Sequence, residues 1–378
     1  MRFIVSGGGT GGHVSPALAI IRGLEERWPG SEFLYIGSKN GIEKDIVSRQ
    51  GIAFAGIEIS HGIDRRHIFT SVLGAFHSVP ESFWQARRLI KEFSPHAVIG
   101  TGGYVSFPVV AAGEYLGYPS FIHEQNAWPG LSNRLLAKKA TGTMLTFEEA
   151  QAFLKAKRIE ITGLPVRPEI LQAEREEAQQ FFQISPDFFT VLIFGGSLGA
   201  ASMNRAVLEM LPSFAQQPIQ FLWVTGKRNY DMICEQAQSE GFLEKDRGLQ
   251  LKIFPYLYEM EKALAVADLA VCRCGASTLS ELEILGLPAI LVPYPYAAEN
   301  HQEKNGQSLV EKGAGVMIRD QELTGDILRK EIYEIWQNEV LRKTMKQNMQ
   351  ALAQPDSLHK IVAEIEKGIR QKGFIKKE

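Results

Sequence analysis

Short β-branched and aromatic runs alternate with amphipathic stretches of helical length through most of the chain. That alternation is the pattern of α/β folds built on parallel sheets. In the first half it predicts strands near residues 2–6, 32–37, 52–59, 96–99, 119–122 and 141–146, with helices between them. The pattern restarts at Phe189-Thr190-Val191-Leu192-Ile193-Phe194 and predicts further strands near 219–224, 249–253, 268–272 and 288–292. Between the halves, Thr162-Gly163-Leu164-Pro165-Val166-Arg167-Pro168 holds two prolines and a glycine, a stiff crossing that no helix continues through. The domain boundary is placed there, with a first domain over 1–163 and a second over 164–354. A length of 378 residues also exceeds what one apolar core usually organises.

One last amphipathic segment stands apart. Gln354-Pro355-Asp356 interrupts a long helical stretch, after which Leu358, Ile361, Val362, Ile365 and Ile369 recur at three- and four-residue steps. Such a face needs a partner surface, either on the second domain or, by returning, on the first.

Composition narrows the class. A net charge of -2 argues against a general nucleic-acid binder, which needs a basic excess over one face. Three cysteines, an odd number, and no signal-peptide pattern point to a reducing cytoplasm. Cys272 and Cys274 have no second pair and no nearby histidine cluster, so burial at a strand end is expected rather than metal ligation. No apolar run reaches the roughly 20 residues that a bilayer span needs.

The candidate chemistry lies where strands end. Phe3-Ile4-Val5 leads into Ser6-Gly7-Gly8-Gly9-Thr10-Gly11-Gly12-His13, a strand-to-helix turn where the backbone can approach an anion closely and helix N–H groups point outward. Gly7, Gly9 and Gly12 match the dinucleotide fingerprint. That reading also wants an acid at the end of the second strand, and Phe33-Leu34-Tyr35-Ile36 instead runs into Gly37-Ser38-Lys39. A second turn, Gly100-Thr101-Gly102-Gly103-Tyr104, follows the strand Ala97-Val98-Ile99 and is expected on the same sheet edge. Two such loops suit a diphosphate, although the glycines also allow plain close packing. In the second half, Gly195-Gly196-Ser197-Leu198-Gly199-Ala200 repeats the turn, and Ala276-Ser277-Thr278 opens a helix suited to phosphate. Glu281, one turn on, either accepts both hydroxyls of a ribose or closes a capping box with Thr278. The proline loop Pro293–Pro295 leads to Asn300, His301, Gln302 and Asn305, and His123-Glu124-Gln125-Asn126 ends a strand in the first half. Both groups offer the neutral donors and acceptors by which sugars are bound.

Taken in order over nearly the whole chain, G-G-T-G-G-H, G-G-Y-V-S, H-E-Q-N, G-x-P-V-R, G-G-S-x-G-A, C-R-x-G-A-x-T-x-x-E and N-H-Q-x-x-N resemble the UDP-N-acetylglucosamine transferases of peptidoglycan synthesis. Leu198 stands where many members carry glutamine. The resemblance implies two Rossmann-like domains facing across a cleft, the GT-B architecture, with the terminal helix 355–372 packing back on the first domain. It implies inverting transfer of N-acetylglucosamine from UDP-N-acetylglucosamine to the 4-hydroxyl of the muramyl sugar in undecaprenyl-pyrophosphoryl-N-acetylmuramoyl-pentapeptide (lipid I), giving lipid II. Cell-wall biogenesis, and through it cell shape and division, is the setting it implies. A UDP-N-acetylglucosamine 2-epimerase of the same architecture and a non-catalytic cell-wall scaffold are the alternatives.

Carried over by position, the resemblance implies donor contacts from Thr10, Gly11, Gly12, Asn126, Arg167, Ser197, Leu257, Ala276, Ser277, Thr278, Leu279, Ser280, Glu281 and Gln302. Glu281 would hold ribose, Ser197 and Ser277-Thr278 the diphosphate, Asn126 and Gln302 the sugar, and backbone near Leu257 the uracil. Gly9, Gly102, Gly103 and Tyr104 would face the acceptor's diphosphate, with His13 as first candidate for the base and Glu124 as second. No Asp-x-Asp occurs, and helix N-termini can stabilise the leaving group, so no cofactor and no metal are expected. A lipid-linked acceptor implies a peripheral place on the cytoplasmic side of the cell membrane, near other cell-wall synthesis proteins. Arg65, Arg66, Ile68, Phe69, Val72, Leu73, Phe76, Trp84, Arg87, Arg88 and Lys91 interleave basic and apolar groups as such a surface would, and as an amphipathic core helix also does.

Overall fold

A computed structural model describes residues 1–59, 68–196, 199–243 and 250–374, without the side chains of 68–79. Two compact units make up the chain, one of Met1–Pro165 with Asp356–Glu378 and the other of Val166–Pro355.

The first unit is built on strands β1 (Arg2–Ser6), β2 (Glu32–Ser38), β3 (Ala53–Ile57), β4 (Ala97–Gly100), β5 (Ser120–Glu124), β6 (Gly142–Leu145) and β7 (Ile159–Ile161). They form one parallel sheet in the order β3-β2-β1-β4-β5-β6-β7. β1 shows why its middle is an unbroken apolar run: Phe3 and Val5 enter one core and Ile4 the other, so both faces are covered. The second unit uses β8 (Phe189–Phe194), β9 (Ile219–Val224), β10 (Gln250–Phe254), β11 (Leu269–Cys272), β12 (Ala289–Leu291) and β13 (Gly315–Met317), all parallel, in the order β10-β9-β8-β11-β12-β13. In each sheet the strand order reverses beside the first strand, between β1 and β4 and between β8 and β11. Ligands of open α/β sheets bind outside the carboxyl ends of the strands at such switch points.

Two of these strands, β7 and β13, escape the sequence pattern. Each is three residues long and sits at a sheet edge, too short for any periodicity to register. The terminal helix, Ser357–Gln371, covers the first unit, with Ile361, Val362, Ile365 and Ile369 joining the core around Phe3 and Val5. Close approach depends on Gly23, where a Cβ would stand 2.8 Å from Leu358 and 3.0 Å from Val362. Arg158 pairs with the buried Glu364 of the same helix, and Arg27 with Glu366 at 2.9 Å. Cys272 and Cys274 are buried, and burial pushes the Cys272 thiol up to about 12.

Candidate active site

β1 and β4 are paired with Ser6 opposite Gly100, so the two glycine turns leave the first sheet side by side. They bind each other: Gly8 N–H donates to the Gly102 carbonyl at 3.3 Å, Thr101 N–H to Ser6 at 2.9 Å, and the Thr101 hydroxyl to the His13 carbonyl at 2.7 Å. Two glycines exist for this packing. A Cβ on Gly7 would overlap the Thr101 hydroxyl, and one on Gly103, at φ +82°, would overlap the Gly8 carbonyl. Others face open space. Among the described residues no atom lies within 4 Å of where a Cβ of Gly9 or Gly11 would stand, and Gly12 meets only the Thr10 hydroxyl at 3.7 Å. The helix Gly11–Arg27 begins there without a side-chain cap, so its N-terminal N–H groups and its dipole face outward.

The acid missing from the end of β2 arrives five residues later. Glu43 opens the helix Glu43–Arg49, is 1% exposed, and accepts from Ser38 N–H at 2.9 Å and Gly9 N–H at 3.3 Å. Its carboxylate lies against Gly8, whose Cβ would come within 2.6 Å of it. Gly9, expected at the acceptor's diphosphate, has its N–H taken by this internal carboxylate. The Tyr35 hydroxyl donates to the Gly7 carbonyl at 2.6 Å, and burial, with Glu43 nearby, pushes its phenol well up.

His13 stands at the opening. Its Nδ1 lies 3.2 Å from the Gly8 carbonyl and 3.3 Å from the Thr10 hydroxyl. A carbonyl only accepts, so Nδ1 carries the hydrogen and the basic lone pair falls on Nε2. The ring runs along Gly102, with Nε2 3.1 Å from where a Cβ would stand. Tyr104 is exposed beside the turn.

Glu124, the second candidate for the base, sits within a set of donors. It is fully buried and accepts from Asn126 N–H at 2.9 Å, Asn126 Nδ2 at 3.2 Å, Gly130 N–H at 3.0 Å and Asn133 Nδ2 at 2.8 Å. Burial pushes its carboxyl up while these donors pull it down. With both oxygens engaged, it shapes the loop that carries Asn126. Neighbouring His123 is buried too, and burial holds it down at about 4.

In the second unit, β8 and β11 deliver the turn 195–200 and the helix Ala276–Leu285 to one edge. Gly199, at φ +75°, packs on the end of β9, where a Cβ would overlap the Thr225 carbonyl. Ser197 and Leu198 lie outside the described residues. A cavity of about 630 Å³ opens here, lined by Gly195, Gly199, Arg273, Thr278, Tyr294 and Gln302. The helix is capped by Gly275 without a side-chain bond, which places Ser277 and Thr278 at its N-terminus. Leu279 and Ser280, by contrast, are buried and turn into the protein. Leu257 is nearly buried as well, between the more exposed Tyr256 and Tyr258.

The capping box at Thr278 does not form, because the helix has already begun. Glu281 pairs with Arg167 at 3.2 Å instead; burial pushes its carboxyl up and Arg167 pulls it down. Gln302 Oε1 accepts from Cys274 N–H at 3.2 Å and Tyr294 N–H at 3.0 Å, tying the helix turn to the proline loop. Asn305, expected to offer itself to a ligand, is buried and donates to the Cys274 carbonyl at 3.2 Å. Glu299 and Asn300 hold consecutive left-handed backbones, at φ 50° and 55°, a strain of the kind that functional loops retain.

Sequence reasoning did not single out Arg273. Its guanidinium donates to Asp320 Oδ1 at 2.6 Å, to the Val292 and Pro293 carbonyls at 3.2 and 3.0 Å, and to the Ser202 hydroxyl at 3.2 Å. It thereby fastens the proline loop to the helix after the glycine turn. The motif C-R-x-G was its signal; Asp320 carried none.

Two family models match the chain. The family model of the glycosyltransferase family 28 N-terminal domain matches residues 3–145, and that of the C-terminal domain matches residues 190–361. The chain is 44% identical over 369 residues to the UDP-N-acetylglucosamine--N-acetylmuramyl-(pentapeptide) pyrophosphoryl-undecaprenol N-acetylglucosamine transferase of Desulforamulus reducens, covering 97% of this chain and 98% of the relative. It is 38% identical over 370 residues to the Bacillus subtilis protein of the same description, covering 97% and 100%. The crystal structure of Acinetobacter baumannii MurG superposes with a TM-score of 0.77 at 27% identity, covering 97% of this chain and 99% of that one.

Proposed function

The chain belongs to glycosyltransferase family 28, and from that premise we infer that it is an N-acetylglucosaminyltransferase of peptidoglycan synthesis. It moves N-acetylglucosamine from UDP-N-acetylglucosamine to lipid I, giving lipid II. The observation that carries this is near-full-length identity, at 38–44%, to transferases described by that reaction.

The geometry supports the following division of labour. The cavity of the second domain takes UDP, with its diphosphate at the helix N-terminus of Ser277 and Thr278 and its ribose on Glu281. Arg167 pulls the pKa of that carboxyl down against the larger raising effect of burial. Gln302 and Asn126 hold the sugar. In the first domain, the N–H groups of Gly11 and Gly12, which the resemblance gives to the donor, face outward and are read here as receiving the pyrophosphate of lipid I, with Gly102, Gly103 and Tyr104 beside them.

The muramyl 4-oxygen then attacks C1 of the donor sugar. The O4–C1 bond forms as the bond from C1 to the phosphate oxygen breaks, the electron pair leaves with UDP, and the configuration inverts. His13 Nε2 takes the hydroxyl proton, because the Gly8 carbonyl holds the hydrogen on Nδ1. The helix dipole at Ala276 offsets the charge on UDP, so activity is expected to persist in excess chelator; its abolition would refute that step.

The reading places the protein on the cytoplasmic face of the membrane. Among the described residues no helix is long and apolar enough to cross a membrane. Trp84 and Tyr115 are exposed, with the Arg87 guanidinium 5.1 Å and 6.0 Å from their rings. Apolar rings joined to cations suit an anionic lipid surface. Arg88 is paired with Glu92 at 2.8 Å, while Arg65 and Arg66 lie outside the described residues.

Radiolabelled UDP-N-acetylglucosamine with and without a lipid I analogue tests the function. Label moving to the lipid is the expected result. Label in a UDP-linked isomer without acceptor is the epimerase outcome, and binding without turnover the scaffold outcome. Vesicles with anionic lipid should retain the protein, and retention unchanged by R87E and W84A would refute this lipid surface.

A further inference from the structure

Asp320 lines the cavity of the second unit, and half of its carboxylate is unaccounted for. It stands just beyond the end of β13, with its side chain 17% exposed. Oδ1 is engaged twice, accepting from Arg273 Nη1 at 2.6 Å and from the Ser202 hydroxyl at 2.6 Å. Arg273 is itself held by the Val292 and Pro293 carbonyls and by Ser202, so the carboxylate cannot turn without giving up both bonds. Oδ2 has no hydrogen-bond partner among the described residues. With Oδ1 taken, Oδ2 is the oxygen that Asp320 offers to the cavity it lines.

Whatever lies against a carboxylate oxygen has to donate a hydrogen. The diphosphate of a nucleotide sugar only accepts, and its charge has the same sign, so it is excluded from this spot. The order of the sheet, β10-β9-β8-β11-β12-β13, singles out the part that fits. With uracil at Leu257, beyond β10, and the diphosphate at the turns beyond β8 and β11, the rest of the donor extends toward β12 and β13. Asp320 also adjoins both elements that hold the diphosphate, because Arg273 follows β11 and Ser202 opens the helix after the turn 195–200. The group next to the diphosphate on the side away from uracil is the hexose.

We propose that Asp320 Oδ2 is a specificity-determining contact for the donor sugar, accepting a hydrogen from one of its free hydroxyls. The proposal rests on the second domain holding the nucleotide sugar, and adds a residue that this reading leaves unused. Gln302 supplies the complementary group. Its Oε1 is occupied by the N–H groups of Cys274 and Tyr294, which leaves its amide hydrogens for a sugar oxygen. One wall of the cavity thus donates and another accepts, as a hydroxyl requires. A nucleotide sugar without a hydroxyl at that carbon leaves the carboxylate unpaired and is discriminated against.

The test measures calorimetrically how UDP, UDP-N-acetylglucosamine and its 3-, 4- and 6-deoxy analogues bind the wild-type protein and D320N. In D320N the amide oxygen stays with Arg273 and Ser202, since the reverse orientation sets donors face to face, and an N–H₂ replaces Oδ2. D320N is expected to bind UDP-N-acetylglucosamine about tenfold more weakly, as loss of a hydrogen bond to a charged acceptor does, and UDP within about twofold of wild type. One deoxy analogue should bind the wild-type protein about tenfold more weakly than the parent sugar, and that gap should shrink at least threefold in D320N, a coupling that a loosened cavity does not produce. D320S, whose hydroxyl still accepts from Arg273, serves if D320N does not fold. Equal losses for UDP and UDP-N-acetylglucosamine, no loss for either, or deoxy gaps of the same size in both proteins overturn the proposal while the donor site stands. Failure of the wild-type protein to bind UDP overturns the donor site and this inference with it.

Discussion

Alanine at Gly103 and at Gly11 should have opposite consequences, although both residues belong to the paired glycine turns of the first domain. Gly103 is at φ +82°, where an L side chain costs about 1–2 kcal/mol. Its Cβ would also overlap the Gly8 carbonyl, a backbone atom that can move only by breaking the Gly8–Gly102 hydrogen bond at 3.3 Å. Losing that bond adds roughly 1 kcal/mol. G103A is therefore expected to destabilise the first domain by about 2–3 kcal/mol, or a fall of roughly 4–12 °C in its melting transition. Gly11 is the first residue of its helix, with open space around the Cβ position. Restricting the unfolded chain there stabilises by about 0.4–1 kcal/mol, so G11A should melt at the same temperature or slightly higher. On the proposed function its methyl group nevertheless projects towards the lipid pyrophosphate, so acceptor KM should rise at least tenfold with UDP affinity unchanged. Differential scanning calorimetry with steady-state kinetics on both variants decides the matter. If G11A melts as low as G103A, the assignment of packing and outward-facing glycines is wrong; if it keeps a wild-type acceptor KM, this turn does not hold the pyrophosphate.

H13A should lower kcat by roughly a hundredfold to ten-thousandfold at saturating substrates, the usual worth of a positioned base, and near-normal turnover would remove His13 from that role. E43Q puts an amide N–H₂ against the N–H of Ser38 or Gly9, two donors face to face, and should cost about 1–3 kcal/mol in denaturant titration while raising acceptor KM. Unchanged stability and KM would make Glu43 incidental. On the proposed function Glu281 accepts from the ribose hydroxyls as a carboxylate, and Arg167 lowers its pKa against the raising effect of burial. R167A should therefore raise that pKa further, so that UDP affinity, followed by calorimetry from pH 8 to pH 5, falls away at a higher pH than in the wild-type protein. Superimposable affinity profiles would separate Arg167 from the nucleotide.

The sequence alone determined what depends on neighbours along the chain. Strand runs, the restart at Phe189, the proline crossing and the strand–glycine–helix turns were legible because each is a local backbone preference, written within about ten residues. The place of His13 at the mouth of its turn was legible for the same reason, since its Gly8 and Thr10 partners lie in that turn. Tertiary structure decided what depends on residues brought together from a distance. Glu43 reaches Gly9 only because β2 pairs with β1, and Arg273 reaches Asp320 only through the sheet that joins β11, β12 and β13. Glu124 and His13 looked alike as polar residues near strand ends, yet three donors from the following loop and one from the next helix close over the first and leave the second at the opening. Which glycines separate packed backbones and which leave room for a ligand also followed from contacts across the two turns. The physical reason is common to all of these: a residue type fixes what a group can donate, accept or carry, whereas burial and the atoms facing it decide whether that capacity is already spent inside the protein.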